Sequence, residues 1–225
     1  MSTRTAPHPS SSRRPPRARD SVAFIREFIR HPAKIGAIAP SGRALAAAMV
    51  RGIDFARARS VLEFGPGTGV FTKAMLDAMP HDWLDPRQSH RPGSGRGRFI
   101  CIEFNEKMAA GVRRLYPEAT VYHNDAGNVE AICRQEGIEP GTVDAIVSGL
   151  AWTSFPDDMR SRVLAATHRV LRPGGEFRTF TYQASMLVRS AWVFRKMLRG
   201  TFNEVHVGRV VWRNMPPAFV YRCVK

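Results

Sequence analysis

An α/β fold on a single doubly wound sheet, mostly parallel with an antiparallel C-terminal strand, is what this 225-residue sequence predicts. Two observations carry the fold class. Short apolar runs alternate with helix-forming segments, and those runs are apolar on both faces, as strands covered from both sides must be. The first run, Val61 to Phe64, opens directly into Gly65-Pro66-Gly67-Thr68-Gly69 and a further helical segment. A strand, a glycine turn and a helix in that order build a ligand pocket at the carboxyl edge of such a sheet.

Apolar residues make up 44% of the chain, enough to pack one ordinary domain core. The formal charge of +15 calls for an anionic partner, nucleic acid or an anionic membrane surface. The plain alternative is a basic, solvated surface. Cys101, Cys133 and Cys223 form neither a C-x-x-C pair nor a disulfide framework, which places the chain in a reducing, cytoplasmic compartment. No metal site is expected. No apolar run approaches the roughly 18 residues that span a bilayer. Ser12-Arg13-Arg14 leads into Pro15-Pro16 without a hydrophobic region, which rules out a twin-arginine signal.

In chain order, residues 1–20 read as a disordered basic tail rich in Ser, Pro and Arg. Residues 21–31 read as a short amphipathic helix, capped by Asp20 or Ser21 and stopped by Pro32. Val22, Ile25, Phe28 and Ile29 share one face, with Arg26 and Arg30 beside them. Such a helix either lies in an anionic membrane interface or packs on the domain, and both readings stand. Ile35 to Ser41 is a small-residue loop placed to cover a pocket, and Ser41 is counted among the cofactor-binding residues. An alanine-rich helix follows from Gly42 to about Arg51.

After the first strand (Ser60–Phe64) comes a helix over Val70–Met79. Residues 80–97 break the pattern and read as a flexible insertion. Then come a strand at Phe99–Glu103, a helix from Glu106 to about Tyr116, and a strand at Val121–His123. A helix over Val129–Glu136 and a strand over Val143–Ser148 continue the alternation. The helix Met159–Leu171 is closed by Arg172-Pro173-Gly174-Gly175, and a strand runs from Glu176 to Tyr182. A helix over Ser185–Leu198 precedes an expected antiparallel pair, Asn203–Arg213 and Ala218–Val224, joined at Asn214-Met215-Pro216-Pro217.

The strand ends, read in order, are the glycine loop with Glu63 before it, Glu103, Asn124-Asp125-Ala126, and Ser148 to Trp152. A carboxylate at the second strand end can accept both hydroxyls of a ribose. An Asp in the next loop can accept from an adenine amine, with apolar neighbours around the ring. No Lys-Ser/Thr follows the glycines, so a phosphate-gripping loop is excluded, and acids around the turn suit a cationic ligand. The alternative is that Glu103 and Asp125 serve only as helix caps.

These residues resemble the class I S-adenosylmethionine-dependent methyltransferases, a Rossmann-like family, from about Ser41 to the C-terminus. The resemblance implies S-adenosylmethionine as cofactor. It places Glu63, Gly65, Gly67 and Gly69 around the methionine moiety, Glu103 on the ribose and Asn124, Asp125 and Ala126 at the adenine. The stretch Phe24 to Pro32, with Ile38-Ala39-Pro40-Ser41, Ser148-Gly149-Leu150 and Asn214 to Ala218, is similar to bacterial phospholipid N-methyltransferases. That likeness implies methylation of the amine headgroup of a membrane lipid, phosphatidylethanolamine and its methylated forms or an ornithine lipid. It also implies an enzyme attached peripherally to the inner face of the membrane through an anionic surface. Many members have Pro after Ser-Gly-Leu where this chain has Ala151-Trp152.

The ribosomal RNA adenine dimethyltransferases have a similar glycine loop. Their Asn-Leu/Ile-Pro-Tyr/Phe signature, which grips a flipped base, is replaced here by Ser148-Gly149-Leu150-Ala151-Trp152. A basic RNA- or membrane-binding scaffold with a vestigial pocket is the non-enzymatic alternative. For the chemistry of transfer, the expected helpers are Tyr182, His206 and Ser148 for deprotonation. Trp152 and Tyr182 are expected to hold a methylated ammonium against their ring faces.

Overall fold

The structure, a computed structural model, describes residues 42–81, 83 and 97–225. The N-terminal tail, the helix expected over 21–31, Ser41 and most of the insertion lie outside the described residues.

Seven strands form one sheet in the order β3-β2-β1-β4-β5-β7-β6. They are β1 (Ser60–Phe64), β2 (Arg98–Glu103), β3 (Thr120–His123), β4 (Val143–Ser148), β5 (Leu171–Tyr182), β6 (Glu204–Val207) and β7 (Ala218–Val224). All neighbours pair in parallel except at β7, which is antiparallel to both β5 and β6. The described α-helices are α1 (Arg43–Val50), α2 (Val70–Ala78), α3 (Glu106–Leu115), α4 (Val129–Gln135), α5 (Asp157–Val170) and α6 (Arg189–Thr201).

The side-chain period of two explains why the strands are apolar throughout. From β1, Leu62 and Phe64 enter the cluster under α4, α5 and α6, while Val61 enters the one under α1, α2 and α3. Ile100 and Ile102 of β2 join the first layer, and Phe99 and Cys101 the second. Each large side chain so buried contributes about 1.5–3 kcal/mol. Glu63 occupies a position on the second face where an apolar residue would otherwise stand. β1 lies between β2 and β4, so the chain reverses its winding direction there, and the crevice of the sheet opens at the carboxyl ends of β1 and β4.

The structure differs from the sequence reading at several ends. The turn Arg172 to Gly175 belongs to β5, because the C-terminal residue pairs with it: Gly174 N–H donates to the Lys225 carbonyl and Lys225 N–H to the Gly175 carbonyl. A register shift between Val143 and Ala145 takes up the extra residues. β6 ends at Val207, far short of Arg213, and residues 208–217 form a long loop back to β7. A 3₁₀ turn, Gln183–Leu187, precedes α6, which starts later and runs further than its pattern suggests. Both ends of the expected insertion are packed. Trp83 is buried, its Nε1 donates to the Ala58 carbonyl at 2.7 Å, and Gly97 N–H donates back to the Trp83 carbonyl.

Candidate cofactor and acceptor site

Gly65, Gly67 and Gly69 all have positive φ, at 65°, 55° and 83°, a region that L side chains avoid at a cost of about 1–2 kcal/mol each. Around Gly65 and Gly69 there is also no room: a Cβ would lie 2.7 Å from Leu150 and 2.4 Å from the Tyr116 ring. Gly67 differs, since a Cβ there would meet nothing within 4 Å. The tip of the loop therefore faces open space, where a ligand can approach the backbone.

Two strand ends hold this loop. Gly65 N–H donates to the Ile102 carbonyl and Gly149 N–H to the Phe64 carbonyl. A Cβ on Gly149 would come within 2.6 Å of the Gly65 carbonyl oxygen, so the close approach of β4 to the loop depends on that glycine. Glu103 completes the frame: Oε2 accepts from Gly67 N–H at 3.0 Å and Oε1 from Asn105 N–H at 2.8 Å. Each oxygen keeps further lone pairs for a ligand. Burial raises the Glu103 carboxyl above its usual range, opposed by the N–H groups of Asn105, Gly67 and Phe104. Asn105, not Glu103, caps α3, through its side chain on Met108 N–H.

Glu63 is fully buried. Its Oε2 accepts from Thr72 Oγ1 at 2.7 Å and from Cys101 Sγ at 3.4 Å, while Oε1 has no partner. Burial pushes this carboxyl up to about 7, against the lowering effect of the Thr72 and Cys101 donors. Thr72 and Cys101 become legible as its partners only in three dimensions.

The third loop is more occupied than its residue types suggest. Asn124 Oδ1 accepts from Asp125 N–H and from Asn128 Nδ2. Asp125 Oδ1 caps the short turn Ala126–Asn128 through Gly127 N–H at 2.7 Å, and Oδ2 pairs with Arg162 of α5, also at 2.7 Å. The cap reading of Asp125 thus holds for one oxygen. Arg162 was missed by sequence reasoning. Its guanidinium lies close over Gly127, so a side chain there would have to displace it.

The expected acceptor-side residues do not assemble as a group. Ser148 is fully buried; its Oγ accepts from Trp152 Nε1 at 2.9 Å and its carbonyl from Thr179 Oγ1 at 3.3 Å. Trp152 is corrected to a core residue. It is 1% exposed, stacked on Phe194 at 5.1 Å and edge-on to Phe177 at 5.7 Å, so its faces are taken by the core. His206 is also corrected. It projects from β6, the outermost strand, with Nε2 2.8 Å from Glu204 and in register with Arg222, and β4, β5 and β7 lie between it and β1. Tyr182 does stand at that edge, half-buried at the end of β5 with its ring against Phe180. Burial pushes its phenol up to about 12.

Asn214, in the expected turn between the last two strands, has a structural task. Its Oδ1 accepts from Gly42 N–H at 2.7 Å and its Nδ2 donates to the Pro216 carbonyl. No cluster of three or more His, Cys, Asp or Glu side chains among the described residues is arranged to hold a metal ion.

A glycine-rich turn with an open tip, an unpartnered carboxylate oxygen beneath it and a second carboxylate on its backbone fit a ligand with hydroxyls and positive charge. S-Adenosylmethionine is such a ligand. Residues 61–175 match the family described as methyltransferase domain. The chain is 30% identical over 210 residues to an ornithine lipid N-methyltransferase of Singulisphaera acidiphila, covering 91% of this chain and 96% of that protein. Among solved structures, it superposes on a Burkholderia thailandensis 1,6-didemethyltoxoflavin-N1-methyltransferase with a TM-score of 0.61 at 14% identity. That comparison covers 98% of this chain and all of the other, which holds S-adenosylhomocysteine. A TehB-like methyltransferase of Corynebacterium glutamicum gives 0.54 at 15% identity, over 93% of this chain and all of the other.

Proposed function

The chain belongs to the class I S-adenosylmethionine-dependent methyltransferases, and on that premise we propose that it methylates the amine of a membrane lipid headgroup. The similarity to an ornithine lipid N-methyltransferase, which runs nearly end to end through both proteins, carries the choice of acceptor. An ornithine lipid is the first candidate. Phosphatidylethanolamine, with the same primary ammonium, is the second.

When bound, S-adenosylmethionine supplies an electrophilic methyl group. The residues proposed to hold it are those of the glycine loop, Glu103 and the Asn124–Ala126 turn. Gly67, open at its Cβ position, lets the cofactor reach the backbone, and Glu103 offers its remaining lone pairs to the ribose hydroxyls. Asp125, oriented by Gly127 N–H and Arg162, bounds the adenine side. Burial raises the Glu63 carboxyl to about 7, and a cation bound at the loop would favour its ionised form.

The lipid ammonium must lose a proton before its nitrogen has a lone pair to offer. Tyr182, held neutral by burial, serves as a hydrogen-bonding and aromatic contact that orients the amine, and the proton leaves to solvent. His206 and Trp152 have no part in this step.

The test is transfer of labelled methyl from S-adenosylmethionine to ornithine lipid, to phosphatidylethanolamine and to RNA, each supplied separately. Label in an amine lipid is the expected result. Label in RNA alone, or in none of the three, overturns the lipid reading.

A further inference from the structure

Of the eight large apolar side chains that stand exposed among the described residues, six fall between Leu187 and Met215. They are Leu187, Val188, Trp192, Val207, Trp212 and Met215, with Leu187 90% and Trp212 72% exposed. Scattered single apolar residues need no explanation, but a concentration like this one does. Two of the chain's four tryptophans are in it.

Topology brings these residues to one rim. β5 runs parallel to the central strands, so the 3₁₀ turn after Tyr182 and the first turn of α6 leave from the carboxyl edge. β7 is antiparallel, with Ala218 in register with Tyr182, so the loop before it lies at the same edge. The two segments are tied together by Gln183 N–H donating to the Pro217 carbonyl at 2.8 Å. This is the edge on which the glycine loop and Glu103 lie.

Charge selects the partner. Residues 183–217 contain six Lys and Arg against one acid, Glu204. Arg189, Lys196, Arg199, Arg209 and Arg213 are exposed. Trp192 is held at the rim by its Nε1, which donates to the Met186 carbonyl at 2.8 Å, with the Arg195 guanidinium 5.8 Å from its ring centre. Exposed indoles and aliphatics ringed by cations match the headgroup layer of an anionic bilayer, where rings settle at the boundary and Arg and Lys meet phosphates. No described helix is long and apolar enough to cross a membrane, so this rim would lie on the surface.

We propose that the rim formed by residues 183–192 and 207–215 is a membrane-docking surface that holds the mouth of the site against anionic lipid. Choosing a bilayer as the partner rests on the lipid-acceptor reading above. The rim explains how a headgroup reaches a carboxyl-edge site without leaving its leaflet.

The full chain and its Leu187→Ser/Trp212→Ser variant, equal in charge, are sedimented with vesicles of phosphatidylglycerol and phosphatidylethanolamine. The variant is expected to lose about tenfold or more of its partitioning, while S-adenosylmethionine affinity stays within about twofold. Arg189→Gln/Arg213→Gln is expected to weaken binding too, mainly at low salt. Vesicle binding equal to wild type in the serine variant overturns the docking surface. So does binding of single-stranded RNA, rather than vesicles, that falls in the arginine variant.

A short-chain amine lipid below its micellar concentration separates the two readings. If the serine variant methylates that monomer normally and fails only on vesicles, the rim docks and the acceptor reading stands. If wild type methylates no amine lipid in any form while vesicle binding still depends on Leu187 and Trp212, the docking surface survives and the acceptor reading falls.

Discussion

The side-chain oxygen of Asn214 accepts the backbone N–H of Gly42 at 2.7 Å, across 172 positions of sequence. It fixes the start of α1 to the loop between β6 and β7, at the edge of the sheet where the site opens. A Cβ on Gly42 would approach that oxygen to 3.1 Å, so the contact is also close in space. At the other end of α1, Arg178 donates to the Met49 and Arg51 carbonyls, which anchors the helix from beneath. α1 is held at both termini by residues from the C-terminal half of the chain.

Removing the Asn214 amide by Asn214→Ala leaves the Gly42 N–H without its acceptor and the Pro216 carbonyl without its donor. A loss of about 1–3 kcal/mol in urea unfolding is expected. Asn214→Asp keeps an oxygen for Gly42 but sets a buried carboxylate oxygen against the Pro216 carbonyl, and should lose at least as much. Equal stability of the alanine variant and the wild type would show that the latch contributes nothing.

Gly149→Ala places a methyl group 2.6 Å from the Gly65 carbonyl oxygen, and neither backbone can give way alone. The expected outcome is S-adenosylmethionine binding weakened at least about tenfold in calorimetry, with a lowered melting temperature. Gly67→Ala makes the contrast. It meets no atom and should cost only the strain of its positive φ, about 1–2 kcal/mol.

Glu63 makes stability depend on pH. Its carboxyl titrates at about 7 in the folded chain against an ordinary value of 4.5, so between those values the folded state binds the extra proton. Stability from this group is complete below the lower value and falls as pH rises through the upper one. Glu63→Gln cannot titrate. The variant should gain on wild type by on the order of 3 kcal/mol between pH 4.5 and 8, measured by urea unfolding at each pH. A gap that stays constant with pH would refute the assignment.

Trp152→Phe distinguishes a core tryptophan from an acceptor contact. The change removes the indole N–H from Ser148 Oγ and leaves the stack on Phe194 largely filled. A destabilisation of about 1–3 kcal/mol is expected, with KM for the amine within about twofold of wild type. A tenfold rise in KM without loss of stability would return the ring to the acceptor pocket.

The alternation of apolar runs and helices determined the fold class, the strand order's mixed character and the position of the ligand edge. β1 was legible to the residue because a central strand is buried on both faces, mostly by apolar residues, and ends at glycines held at positive φ. The positions of Glu63, Gly65, Gly67, Gly69 and Glu103 at the carboxyl edge were legible too, because each is tied to a strand end or to the backbone turn beside it. Tertiary structure alone decided what the remaining side chains do, because side-chain partners come from segments distant in sequence. Trp152 and Ser148 bond to each other in the core, His206 falls on the far edge strand, Arg162 reaches across to Asp125, and Asn214 holds Gly42. The exposed rim belongs to the same class. Leu187 and Trp212 look like ordinary apolar residues in the sequence, and only the fold shows that they stand exposed among the described residues.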